Sequence, residues 1–358
     1  MIANVHDSFA TRLLTWFDQH GRHDLPWQHP RTPYRVWVSE IMLQQTQVSA
    51  VIGYFQRFMQ RFPDVTTLAS AQSEEVMALW AGLGYYARAR NLHQAARVIQ
   101  AQGMPQDQAG WQALPGVGPS TAAAIVAQAY NQPAVILDGN VKRVMARHAG
   151  IAGVVSKQAT TRQLWAAAEA RASRVQPADY TQAIMDLGAT VCRRTQPDCA
   201  DCPVRSDCYA FKHNCQTQLP ERTPKKTIPV RERVFLWLEN PQGQVWLEQR
   251  PPSGIWGGLY CLPVVHQVDD IAAKLSALPV DLVGARQAVA QFEHRFTHFK
   301  LCARVYQQTV SLRADQVCEQ SGGFYDPEPL AGAQSPLALP KPISQLFIKR
   351  QAELAKLL

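Results

Sequence analysis

The stretch Leu114-Pro115-Gly116-Val117-Gly118-Pro119-Ser120-Thr121-Ala122-Ala123-Ala124-Ile125-Val126 decides how the first half of this chain is read. Two glycines flank one residue in a tight turn, and the small residues after it open a helix. Gly116 and Gly118 let backbone N–H groups face outward, and the N-terminus of the following helix adds partial positive charge, so a phosphate can be held there without any base being read. On this reading Gly116, Val117, Gly118 and Ser120 contact a nucleic-acid backbone. A bare Gly-x-Gly also begins many ordinary helices; the leading Leu-Pro and the trailing small residues favour a phosphate-binding helix-hairpin-helix.

Around this turn stand two carboxylates that ask for a reason. Asp138, in Ile136-Leu137-Asp138-Gly139-Asn140-Val141-Lys142-Arg143, ends an apolar run and precedes a basic helix. That is the position of an N-cap or of a catalytic group. Next to a bound polyanion a carboxylate is electrostatically costly, which favours the catalytic reading. Upstream, Glu40, Gln44 and Gln47 follow i, i+4, i+7 spacing beside apolar Ile41, Val48, Ile52 and Phe55. The spacing predicts one helix whose polar stripe is either solvated or turned toward bases.

Four of the eight cysteines fall within seventeen residues, as Cys192-x6-Cys199-x2-Cys202-x5-Cys208, and Cys215, Cys261, Cys302 and Cys318 are scattered. Four thiolates without a histidine suit a tetrahedral zinc or a four-iron four-sulfur cluster. The spacing favours the cluster, because zinc ribbons usually show two short Cys-x-x-Cys pairs. Arg193 and Arg194 sit in the first loop between these cysteines, as phosphate contacts or as solvated surface.

The whole chain has 358 residues, of which 46% are hydrophobic and 18% charged, enough apolar material for two or three folded domains and too much for a disordered chain. Its net charge is +8 and its pI about 9.1. Residues 1–225 hold 22 Lys and Arg against 16 Asp and Glu (+6), and residues 226–358 hold 14 against 12 (+2), so a polyanionic partner belongs mainly to the first part. No apolar run is long enough to span a membrane and the start lacks a signal-peptide pattern, so a cytoplasmic, non-membrane protein is expected. From Phe9 to about Tyr209 the apolar spacing is helical, with no convincing strand. Residues 216–229 are polar and Pro-rich and read as a linker. Beyond them the period changes: Val234–Glu239 and Val245–Arg250 flank the turn residues Asn240-Pro241-Gln242-Gly243, and Phe299–Val310 alternates. Asp270–Leu278 and Ile343–Leu358 read as helices. The fold class is therefore a mainly α-helical domain, residues 1–215, followed by an α+β domain, residues 230–358.

Taken together, Leu114-Pro-Gly-Val-Gly118, Leu137-Asp-Gly-Asn140 and the four-cysteine spacing resemble the helix-hairpin-helix DNA glycosylase superfamily that includes endonuclease III. The segments Ser39-Glu-Ile-Met-Leu-Gln-Gln-Thr-Gln47 and Gly82-Leu-Gly-Tyr-Tyr-Ala-Arg-Ala-Arg90, with the second domain, narrow the resemblance to the adenine DNA glycosylase (MutY) family. It covers nearly the whole chain. It implies a monomeric enzyme that hydrolyses the N-glycosidic bond of adenine mispaired with 8-oxoguanine or G in double-stranded DNA. It also implies one [4Fe-4S] cluster on Cys192, Cys199, Cys202 and Cys208, in a region 192–208 of the catalytic domain.

The resemblance further implies roles. Glu40 protonates adenine at N7, which requires a carboxyl kept protonated near neutral pH and hence burial. Asp138 stays ionised and stabilises positive charge at C1′, Asn140 orients the site and Gln182 contacts adenine. Gln44 and Tyr85 enter the stack beside 8-oxoguanine. Gln291-Phe-Glu-His-Arg-Phe296-Thr297-His298-Phe299 and Pro251-Pro-Ser-Gly-Ile-Trp-Gly-Gly258 resemble a Nudix-like domain that reads 8-oxoguanine, with Phe296, Thr297 and His298 as the reading residues. The acidic Nudix signature is missing after Gly258, so nucleotide hydrolysis is not expected. Thr297 stands where the family often has Ser, and Pro119 where Arg is common. Ser120 occupies the position of the imine-forming lysine in bifunctional members, which argues against a glycosylase-lyase. The two carboxylates beside an intact hairpin argue against a DNA-damage-binding protein without catalysis.

Overall fold

The structure, a computed structural model, describes residues 8–221, 227–251, 253–313, 322–332 and 335–354. Cys318, part of the expected linker and the last four residues of the expected terminal helix lie outside these. The chain forms two compact units: residues 1–70 with 90–225, and residues 71–89 with 226–358.

The first part of the chain is built from helices α1 (Phe9–His20), α2 (Pro33–Leu43), α3 (Val48–Arg61), α4 (Val65–Ser70), α5 (Ser73–Trp80), α6 (Ala87–Gln102), α7 (Gln108–Gln112), α8 (Pro119–Tyr130), α9 (Gly139–Ala149), α10 (Gln158–Glu169), α11 (Pro177–Asp186) and α12 (Tyr209–Lys212). Local chemistry sets their ends. Ser8 and Thr32 cap α1 and α2 by accepting from the N–H of Thr11 and Arg35, and Pro33 and Pro119 occupy first-turn positions where a missing N–H costs nothing. Asn131 and Gly150 end α8 and α9 in the left-handed conformation. The core of the first unit gathers Leu13 and Phe17 of α1 with Val141, Val144 and Met145 of α9 and Ala183 and Ile184 of α11. Ala122, Ala123 and Ala124 are buried, so α8 packs closely against α2, α7 and α11.

One helical expectation fails. Glu40, Gln44 and Gln47 do not share a helix: α2 stops at Leu43, Gln45 turns left-handed at φ +58, and α3 starts afresh after Gln47. No Pro or Gly marks this break. Gln44 instead reaches across to the hairpin, with Nε2 3.3 Å from Thr121 Oγ1, a tertiary contact that overrides a weak local preference.

The second unit carries a mixed sheet of β1 (Val230–Glu239), β2 (Val245–Gln249), β3 (Tyr260–Cys261), β4 (Val264–Val265), β5 (Val280–Leu282), β6 (Gln287–Arg295), β7 (Lys300–Leu312) and β8 (Gly322–Tyr325), with helices α13 (Ile271–Ser276), α14 (Pro327–Ala331) and α15 (Lys341–Leu354). The path is β3-β2-β1-β7-β5; β4 pairs with β1, β6 with β7 and β8 with β2. β1 and β7 run parallel from Val230 opposite Lys300 to Glu239 opposite Thr309. Gly243, at φ +80, closes the β1–β2 turn where the sequence places it. Val234, Leu236 and Leu238 alternate inward from β1 onto Trp246, Ile271, Leu275 and Val310. The helix expected at Asp270–Leu278 is shorter, Ile271–Ser276, and follows a 3-10 turn at Val268–Asp270. The terminal helix begins two residues early, at Lys341.

Candidate active site

A cavity of about 460 Å³ in the first unit brings the chemistry together, and its size suits a small-molecule or single-base site. Glu40, Gln44, Gly118, Ser120, Asp138, Asn140 and Gln182 all line it. Gly116 and Val117 do not line it but form the adjoining turn, in which the Val117 N–H donates to Leu114 O. Gly116 is left-handed at φ +79, and a Cβ there would stand 2.8 Å from Asn91 Cβ, so this position admits only glycine without displacement. Gly118 faces open space and caps α8.

Glu40 sits in the last turn of α2, with protein around its carboxyl while one edge borders the cavity. Burial raises its pKa to about 7; the Gln128 amide, donating to Oε1 at 3.0 Å, opposes that rise and the charge of Asp138 reinforces it. Asp138 is both things the sequence allowed. Its Oδ1 accepts from the Val141 N–H at 2.8 Å and caps α9, and the same carboxyl lines the cavity. Burial pushes its pKa up, against the Val141 N–H, the Arg143 charge, the Asn140 N–H and the Lys142 charge. Ser120 is turned to structural use: its Oγ accepts from the Leu137 N–H at 3.0 Å, tying the start of α8 to the residue before Asp138.

Behind the lining stand partners that no sequence motif singled out. Asp186 is fully buried and accepts from Arg22 through the backbone N–H (2.7 Å), Nε (3.0 Å) and Nη2 (2.6 Å) and from Gln182 Nε2 (2.7 Å). It thereby fixes two cavity-lining side chains, Arg22 and Gln182. Asn140 Oδ1 accepts from Arg143 Nη2 at 2.8 Å, and that same nitrogen reaches Gly188 O at 2.6 Å. Gly188 belongs to a π-turn, Leu187–Val191, where a Cβ would meet Asn140 Cβ at 2.6 Å. Such π-turns are frequent at functional sites. Asn140–Arg143 and Gln182–Asp186 are neighbours three and four positions apart on their helices, whereas Arg22 reaches Asp186 across 164 positions and Arg143 reaches Gly188 across 45, so no local pattern marks those two.

Cys192, Cys199, Cys202 and Cys208 surround one small void with Arg147 beside it; Cys215 does not border it. Arg147 Nη1 lies 3.3 Å from Cys192 Sγ, and its other bonds hold Arg193 O, Arg194 O and Leu219 O. Burial raises the Cys202 thiol to about 12 and pushes Cys199 and Cys208 up as well, with neighbouring cysteines adding to the rise, so thiolates at these three positions require a cationic group to hold. Among the described residues no set of three or more His, Cys, Asp or Glu is gathered so as to hold a metal ion. The donor set, four sulfurs around one void with a guanidinium at its edge, fits a multi-iron cluster. Arg193 is occupied within its loop by Thr190 O and Gln196 O.

The remaining expected site residues lie in the second unit. Tyr85 is 48% exposed and left-handed at φ +49. Arg88 lies under it, 5.3 Å from the ring centre, and donates to Leu83 O and Gly84 O. Residues held in sparsely populated backbone conformations cluster at functional sites. Phe296, Thr297 and His298 form the β6–β7 turn, closed by the Phe296 N–H donating to Phe299 O. Phe296 stacks on buried Phe299 at 4.5 Å and 23°, leaving Thr297 and His298 exposed at the tip. Trp256, also left-handed at φ +53, buttresses Phe296 with ring centres 5.7 Å apart.

Residues 38–170 match the family described as HhH-GPD superfamily base excision DNA repair protein, and residues 234–349 match the NUDIX domain. The adenine DNA glycosylase of Buchnera aphidicola subsp. Schizaphis graminum is 32% identical over 95% of this chain and 97% of its own length. That of Homo sapiens is 36% identical over 84% of this chain and 66% of the human protein. Among solved structures, a thermostable thymine-DNA glycosylase superposes with a TM-score of 0.52 at 27% identity, covering 57% of this chain and 95% of that one. Among the described residues no helix is long and apolar enough to cross a membrane.

Proposed function

The chain belongs to the adenine DNA glycosylase family, and from that premise we propose that its cavity hydrolyses the N-glycosidic bond of adenine mispaired with 8-oxoguanine or G in duplex DNA. The observation that carries this reading is the placing of Glu40, Asp138 and Gln182 on one cavity beside the hairpin turn. A base in its stack cannot reach such a cavity, so the nucleotide is flipped, at a cost of about a few kcal/mol that a mispair reduces. The turn at Gly116–Gly118 and the first turn of α8 hold phosphate, and +6 of the net charge in residues 1–225 draws the duplex in.

Glu40, half-protonated near neutral pH, gives its proton to adenine N7. The C1′–N9 bond breaks with its electron pair going to the base, which leaves neutral. Asp138, ionised, stabilises the cationic sugar, and water adds at C1′ while its proton returns to Glu40. Glycoside cleavage needs two carboxyl groups in unlike protonation states; burial raises both here, and Asp138 has the Val141 and Asn140 N–H groups and the Arg143 and Lys142 charges beside it to favour its ionised form. Asn140, held by Arg143, and Gln182, held by Asp186, orient sugar and base. Among the described residues no lysine lines the cavity, and Ser120 cannot form an imine, so the reaction stops at an abasic site. Cys192, Cys199, Cys202 and Cys208 would hold one [4Fe-4S] cluster, which supplies a covalent cross-link of the 192–208 region. Gln44 and Tyr85 enter the stack opposite the flipped base, and Phe296, Thr297 and His298 read the 8-oxoguanine. The division of labour follows residues 1–215 and 230–358, with 216–229 as linker, in a monomer working on DNA in the cytoplasm.

The test is to incubate the protein with duplexes carrying one A opposite 8-oxoguanine, G or T. Free adenine from the first two, with strands that break only on alkaline treatment, is expected. Strand scission without alkali, or no free adenine, would overturn the reading.

A further inference from the structure

Gln128 stands in the last turn of α8, after the apolar run Ala122–Ala127, and is 4% exposed. A primary amide buried in such surroundings is unfavourable unless its polar atoms find partners. Its Nε2 donates to Glu40 Oε1 at 3.0 Å, and among the described residues this is the one hydrogen bond made to that carboxyl. Gln128 does not border the cavity, so whatever it contributes passes through Glu40.

We propose that Gln128 is a positioning residue for adenine excision: by occupying Glu40 Oε1 it places the acidic proton on Oε2, the oxygen left to serve the base. The inference rests on the reading of Glu40 as the general acid. A protonated carboxyl is asymmetric, with one oxygen carrying the proton and the other accepting. An amide N–H selects the accepting oxygen, and it does so in both protonation states, so the carboxyl is aligned before the base arrives and realigned after the proton has gone. Without the amide the group rotates, and the proton spends part of its time on the wrong oxygen. The same bond favours the ionised form and so keeps burial from carrying Glu40 too far into the neutral state. A general acid works best with its pKa near the working pH, and Gln128 therefore sets both the direction and the ease of proton delivery.

The test measures single-turnover adenine release from below to above neutral pH for the full chain and for Gln128→Met, Gln128→Glu and Glu40→Gln, with duplex affinity in parallel. Met preserves the length and approximate volume of Gln without its donors. In Gln128→Met the low-pH plateau falls several-fold and the limb on which the rate declines with rising pH moves up by about one pH unit, as expected for losing a hydrogen bond to a charged group. Gln128→Glu, which adds a like charge, moves that limb higher still. Affinity stays at the parental value in each. If Gln128→Met and Gln128→Glu lower the rate equally at every pH with the limb unmoved, Gln128 only packs and the proposal falls. If their profiles coincide with the parent while Glu40→Gln is inactive, the acid is right and the positioning role is wrong. If Glu40→Gln excises at the parental rate, the general-acid reading itself fails, and Gln128 falls with it.

Discussion

Glu40 owes its pKa of about 7 first to being surrounded by protein, and the same burial destabilises the fold whenever the carboxyl is charged. The sign follows from linkage. Its ordinary value is 4.5, so between that pH and about 7 the folded protein binds more protons than the unfolded chain, and stability falls as pH rises through this window. The whole effect is about 3 kcal/mol, fully expressed above pH 7 and absent below the ordinary value. Glu40→Gln should therefore raise Tm more at pH 8 than at pH 5, measured by thermal unfolding; an equal change at both would mean that Glu40 is not held neutral. Burial of Glu40 was foreseeable, because an acid that works near neutrality needs it. Its partner was not. Gln128 is 88 positions away on a helix of small apolar residues, and Arg22 meets Asp186 across 164 positions. Such pairs leave no local trace in a single sequence.

At the scale of elements, the first turn of α8 and the helix start at Asp138 are coupled by one hydroxyl. Ser120→Lys removes the acceptor for the Leu137 N–H and adds an amine at the cavity wall. Adenine release should slow, while borohydride trapping and strand scission should rise above the parental level; no gain in trapping would show that the amine cannot reach C1′. The four-cysteine loop makes its own prediction. Anaerobic analysis should find about four iron and four sulfide per chain, and stoichiometric zinc in iron-replete expression would refute this. Replacing any of Cys192, Cys199, Cys202 or Cys208 should weaken folding or DNA binding, whereas Cys215→Ser should be tolerated, since Cys215 is not on the void. Element by element, periodic patterns were legible: the helices of the first part, the β1–β2 turn at Gly243 and the alternation of β7. The break after Leu43 was not, because Gln44-Gln45-Thr46 carries no breaker and its turn is set by contact with the hairpin. Short β3, β4 and β5 were also illegible, since two or three residues cannot show a period.

For the molecule as a whole, the proposed function puts base discrimination at the tip of the β6–β7 turn, and Thr297 and His298 are exposed there over the Phe296–Phe299 stack. A good hydrogen-bonding contact to a base edge is worth about 1 to 3 kcal/mol. Thr297→Ala and His298→Ala, made singly, should therefore each lower the ratio of excision rates for A opposite 8-oxoguanine and A opposite G by roughly 5-fold to 150-fold, leaving excision opposite G near the parental rate. Substitution is a cleaner test than truncation near residue 225, because the second compact unit also contains residues 71–89 and a cut there would divide it. The central claim concerns the cavity that Glu40 and Asp138 share, and one measurement addresses it most directly: single-turnover release of free adenine by the parent, Glu40→Gln and Asp138→Asn, with duplex affinity measured alongside. Each variant should be slower by at least ~100-fold with affinity nearly unchanged. Excision within a few-fold of the parent by either one would contradict the account.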